Sequence, residues 1–119
     1  MTIIIVFYIN RPLHLSTYLF IMYIIELTYK VPVIDIENNM AAHIKYLDKY
    51  YHSGHFLASG RKEPRDGGII FATAENRQEI NDIVAEDPFN TLGLADYKII
   101  HFKATKKVKA FGALEPEEE

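Results

Sequence analysis

Apolar positions along this chain change period several times, and the changes mark out elements. From Met22 the run Tyr23-Ile24-Ile25-Glu26-Leu27-Thr28-Tyr29 is β-branched and aromatic, bounded by Val31-Pro32, which predicts a strand. Ile36, Met40, Ile44, Leu47 and Tyr51 then recur three or four residues apart, the spacing of one helix face. Asp35 is the expected N-cap and Ser53-Gly54 the expected end. His43 falls beside that stripe, three residues after Met40 and four before Leu47. His55 to Arg61 predicts a second strand, Lys62 to Gly67 a turn, and Gly68 to Thr73 a third strand. Asn76 with Glu79 forms a capping box ahead of Ile80, Ile83 and Val84, the apolar face of a second helix. That helix must stop by Asp87, because the residue before Pro88 is biased away from helix. Phe89 to Leu94 predicts an irregular turn. Asp96 to Thr105 predicts a last strand, with Tyr97, Ile99, His101 and Lys103 on one face and Ile100, Phe102 and Ala104 on the other.

The order strand–helix–strand–strand–helix–strand suits an α+β, ferredoxin-like arrangement: a four-stranded antiparallel sheet with two helices on one face. The second face of such a sheet is left open, and its apolar and aromatic positions predict a homodimer built sheet to sheet.

Residues 1–21 are expected to be an extension outside the core. The apolar run Ile3 to Ile9 breaks at Arg11-Pro12, is followed by no small-residue cleavage site, and falls short of the roughly 20 apolar residues that span a bilayer. The domain is expected over residues 22–109, followed by an acidic flexible tail over 110–119 that ends Glu-Pro-Glu-Glu-Glu. A chain of 119 residues holds one such domain. Its formal net charge of -3 argues against nucleic acid as partner, since phosphate recognition needs a basic surface. With no cysteine, disulfides, thiolate nucleophiles and cysteine zinc sites are excluded. A cytoplasmic location fits that composition.

Certain residues carry a family resemblance. His43-Ile44-Lys45-Tyr46-Leu47, Phe56-Leu57-Ala58-Ser59-Gly60, Gly67-Gly68-Ile69-Ile70, Glu86-Asp87-Pro88-Phe89 and Gly93-Leu94 together resemble the pattern of YciI-like proteins, in order and spacing. The resemblance implies a ferredoxin-like fold of the dimeric α+β barrel type. It also implies a His–Asp pair in a cleft near the dimer interface, here His43 and Asp87. One branch of that family includes lyases that remove chloride from chlorinated hydroxyquinones. Where many members have Gly-Pro after the second strand, this chain has Gly60-Arg61-Lys62-Glu63-Pro64, a more basic rim.

The candidate chemistry follows. His43 suits general acid–base work, because imidazole titrates near neutrality; it equally fits a core-flanking histidine satisfied by a carbonyl. Asp87 suits a carboxylate that fixes the imidazole tautomer, and equally fits turn chemistry before proline. Ser59, Arg61 and Arg65 are candidate substrate-binding groups, the arginines because guanidinium grips an anion bidentately; the arginines also fit a solvated loop that balances Glu63 and Asp66, and Ser59 a strand serine without function. His52 and His55 straddle a helix end without a third ligand at a recognisable spacing, so no metal is expected. The leading expectation is a lyase or isomerase that needs no cofactor and acts on a small organic molecule. The alternative is a non-catalytic module that binds a small ligand or supports another protein.

Overall fold

In the computed structural model, residues 21–108 are described; the expectations for 1–20 and for the tail over 110–119 lie outside them. Eight elements follow one another: β1 (Ile21–Tyr29), α1 (Val33–Asn38), α2 (Met40–His52), β2 (Phe56–Arg61), β3 (Gly67–Thr73), α3 (Arg77–Ala85), α4 (Pro88–Thr91) and β4 (Ala95–Lys103). The strands form one antiparallel sheet in the order β2-β3-β1-β4. This is the ferredoxin-like α+β arrangement that the element order predicts.

Strand alternation decides which side chains meet the helices. Tyr23, Ile25 and Leu27 of β1 point into one buried cluster with Ile70 and Ala72 of β3, Phe56 of β2 and Ala95 of β4. Ile36, Tyr46, Tyr50, Ile80, Ile83, Val84 and Phe89 close that cluster from the helical side. The other sheet face carries Ile24 and Ile69, both partly buried, and the more exposed Phe71, Ile100 and Phe102, with Glu26 opposite Lys98.

The helical region departs from expectation in three ways. The first helix is two helices, broken at Asn39, whose backbone leaves the helical region (φ -116°, ψ 11°). Asn39 Nδ2 donates to the Asp35 carbonyl at 2.9 Å, replacing part of the interrupted ladder. Asp35 is therefore inside the first turn of α1 rather than its cap, and Pro32 holds the cap position. The buried stripe of α2 is His43, Tyr46 and Tyr50, while Ile44 is 47% exposed. The apolar stripe read from the spacing is instead the neighbouring one, and it faces a cavity.

The segment after α3 is also more regular than expected, with α4 where an irregular turn was predicted. Asp87 caps α4: its side chain accepts the Phe89 N–H at 3.0 Å, and Pro88 takes the first helical position. The Asn76 cap of α3 is as predicted, accepting from the Glu79 N–H at 2.9 Å, while the Glu79 side chain reaches back to the Glu75 N–H.

Candidate active site

His43 and Asp87 meet. They are 44 residues apart, yet His43 Nδ1 lies 2.8 Å from Asp87 Oδ1 and the aspartate is fully buried. Each is placed by its own element. Helix periodicity puts His43 in the buried stripe of α2, at the edge that borders the cavity. The cap geometry of α4 turns the Asp87 side chain back over the end of α3 toward α2. A seam of further bonds keeps these helices together. Tyr46 donates its hydroxyl to the Ile83 carbonyl at 3.0 Å, and Lys49 pairs with Glu86 at 2.8 Å.

A buried carboxylate is tolerated only where donors replace water. Asp87 has three: His43 Nδ1–H and Phe89 N–H on Oδ1, and the Tyr97 hydroxyl on Oδ2 at 2.5 Å. Burial first, and the Asp87 charge second, push the Tyr97 and Tyr46 phenols well above the ordinary range. Both therefore act as donors. Since a carboxylate only accepts, the imidazole proton facing it sits on Nδ1, which leaves Nε2 with a lone pair. Phe89 stacks on the imidazole at 4.0 Å between centroids and 5° between planes, so the ring is held in its plane as well as at its edge.

His43 lines a cavity of about 230 Å³ between α2 and the β2–β3 edge of the sheet. That is below the roughly 300–1,000 Å³ of drug-sized sites, which suits a molecule of about one ring. The walls are mostly apolar: Met40, Ile44 and Leu47 from α2, with Leu27, Ile69 and Ile70 from the sheet. This accounts for the second stripe of α2: Met40 and Leu47 pack against the core edge while they and Ile44 line the cavity.

The remaining candidates separate. Ser59 and Arg61, on exposed β2, line the cavity, and the Ser59 hydroxyl is 2.6 Å from that of Tyr51. Arg65 does not line it: Nη1 donates to Glu37 Oε2 at 2.7 Å, which ties the β2–β3 loop to α1. The turn carries the Arg65 side chain toward the acidic end of α1, so its charge is answered there. His55 is held between Ser53 Oγ and Glu79, and no group of three metal-ligating side chains occurs among the described residues. Tyr97 and Phe89 were not among the candidates. A usable signal existed for Tyr97: a polar-tipped aromatic on the helix-facing side of the last strand needs a partner for its hydroxyl.

Fold and site together define a ferredoxin-like α+β protein with a buried imidazole–carboxylate pair beneath an apolar cavity. The model of the YCII-related domain matches residues 17–103, and the chain belongs to that family. No curated protein matches the sequence. Among solved structures, the chain is similar to 5-chloro-2-hydroxyhydroquinone dehydrochlorinase from Burkholderia phenoliruptrix in complex with 2,5-dihydroxybenzoquinone. The TM-score is 0.60 at 20% identity, covering 69% of this chain and 93% of that one. A weaker likeness links it to SnoaB, a cofactor-independent oxygenase from Streptomyces nogalater, with TM-score 0.44, 12% identity, and 74% and 95% of the two chains covered. Among the described residues no helix is long and apolar enough to cross a membrane.

Proposed function

We propose that this protein is a small-molecule lyase or isomerase in which His43 Nε2 moves the proton and Asp87 orients and charge-balances the ring. One observation carries the reading: the 2.8 Å Nδ1···Oδ1 bond belongs to an imidazole that lines a ring-sized cavity. Nε2 takes a proton from a carbon or hydroxyl of the bound molecule, and the imidazolium formed is favoured by the carboxylate behind it. The electron pair left behind either expels a leaving group from the neighbouring atom or shifts a double bond, the proton returning elsewhere. Both routes balance without an oxidant or a cofactor. Arg61 and Ser59 are the groups that would hold an oxyanion of the substrate, while Met40, Ile44 and Leu47 cover its apolar part. An elimination is also the reaction named for the dehydrochlorinase of the same fold. At 20% identity that likeness speaks for the fold, and the reading of the site rests on His43 and Asp87.

The working unit in this reading is a homodimer in the cytoplasm, two copies meeting over the sheet face that carries Ile24, Phe71, Ile100 and Phe102.

The test is turnover of small cyclic phenols, enols and their halogenated forms, followed by absorbance and halide release. His43→Gln should lower the rate by about 10²–10⁴-fold while ligand binding persists. If both proteins bind such compounds and neither turns them over, the non-catalytic binding module replaces the enzyme.

A further inference from the structure

We propose that Tyr97 is the positioning residue of this site, holding Asp87 in the rotamer that accepts from His43 and thereby selecting which imidazole nitrogen carries the proton. Resting on the acid–base reading above, this adds a third member, from β4, to the pair.

The torsion that turns an aspartate carboxylate is broad and soft. The Phe89 N–H, fixed by the first turn of α4, restrains Oδ1 alone. With only that restraint, the carboxylate could rock about Oδ1 and misalign the lone pair offered to Nδ1. The Tyr97 hydroxyl on Oδ2, at 2.5 Å, removes that freedom. The distance lies in the range of charge-assisted O–H···O⁻ bonds, which are about twice as strong as neutral ones. Tyr97 is itself well placed to be rigid. Its strand runs in register with β1, where it stands opposite Leu27, and its ring packs against the core.

Among the described residues, no other phenol near the pair is available for this role. Tyr46, the second phenol that senses the Asp87 charge, gives its proton to the Ile83 carbonyl at 3.0 Å. Tyr29 stands at the cavity wall with Arg61, and its ring meets Phe89 edge to face rather than Asp87. Tyr97 thus acts on the reacting nitrogen at second hand: hydroxyl to Oδ2, Oδ1 to Nδ1–H, and Nε2 left as the base.

Tyr97→Phe deletes the hydroxyl and keeps the ring. The decisive readout is the nitrogen-15 spectrum of the neutral His43 ring, which reports its tautomer, with the position of the Nδ1–H proton resonance. The wild-type ring should be a single Nδ1–H tautomer with that proton strongly downfield. In Tyr97→Phe the ring should become a tautomer mixture, its Nδ1–H should move upfield, and kcat should fall about tenfold or more at unchanged KM. A folded Tyr97→Phe with the wild-type tautomer and Nδ1–H position overturns the proposal, whatever its turnover. Should that variant not fold, 3-fluorotyrosine placed at position 97 keeps size and hydroxyl but strengthens the donor. It should shift the Nδ1–H resonance, and an unmoved resonance overturns the proposal equally. Failure of the underlying reading looks different: His43→Gln would turn over like the wild type while the tautomer results stood.

Discussion

At the scale of single residues, the site is organised around one carboxylate that water does not reach. Because Asp87 is fully buried, each of its donors matters more than a surface bond would, and loss of one leaves a lone pair unanswered. Two of the phenols around it carry a consequence for alkaline stability. Tyr46 and Tyr97 are both raised by burial and by the Asp87 charge. A raised folded-state value means the contribution is whole below the ordinary phenol range and drains away as pH rises through the raised one. Unfolding should therefore set in above about pH 10, with phenolate absorbance from these two rings growing only as ellipticity is lost. Their ionisation within an intact fold would contradict the burial described. The His–Asp pair is legible only through the resemblance to the YciI-like pattern, since spacing alone leaves His43 equally a core-flanking histidine and Asp87 equally a turn residue. For Tyr97 the sequence signals a hydroxyl in need of a partner but not which partner, because the carboxylate that answers it is brought there only by the folded chain. Arg65 misleads for the opposite reason: a cation in a glycine-containing turn looks available until Glu37 of α1 is seen to meet it.

Among elements, the closest approach lies where β3 begins beside β1. A Cβ added at Gly67 would stand 1.8 Å from the Leu27 carbonyl oxygen and 2.8 Å from Lys62 Cε, whereas at Gly60 it would meet nothing within 4 Å. Gly67→Ala should accordingly cost about 2 kcal/mol or more, as overpacking against backbone does. Gly60→Ala should stay within about 0.5 kcal/mol. Urea midpoints at unchanged slope would measure both, and equal midpoints would refute the close contact. The order of strands and helices is legible because period-2 and period-3.6 runs alternate cleanly along the chain. The break at Asn39 is not, since nothing in Glu-Asn-Asn-Met forbids a continuous helix. The shift of the buried stripe within α2 has a separate origin. His43, Tyr46 and Tyr50 can all go inward because the tyrosines bury apolar rings and place their polar tips at partners or at the edge, which a purely apolar count along the helix does not register.

For the molecule as a whole, the open sheet face is the surface over which the proposed dimer would form. Phe71, Ile100 and Phe102 are 36%, 41% and 43% exposed on one side of β3 and β4. Light scattering at micromolar concentration should report twice the 13.7 kDa chain mass, and Ile100→Lys with Phe102→Lys should return it to one chain. A wild-type monomer under those conditions removes the dimer. The strand order has a further consequence. β1 and β2 belong to the first half of the chain, β3 and β4 to the second, and the pairings are β2 with β3, β3 with β1, and β1 with β4. Every pairing thus joins one half to the other, and neither half owns a sheet. The site divides the same way, with His43 in the first half and Asp87 and Tyr97 in the second. A chain cut in the exposed loop at Glu63 or Pro64 would yield two pieces that are unstructured apart and mutually templating together. The fold, and with it the proposed activity, would then return with the concentration dependence of a bimolecular association, making this domain a natural split reporter of whatever brings its two pieces together.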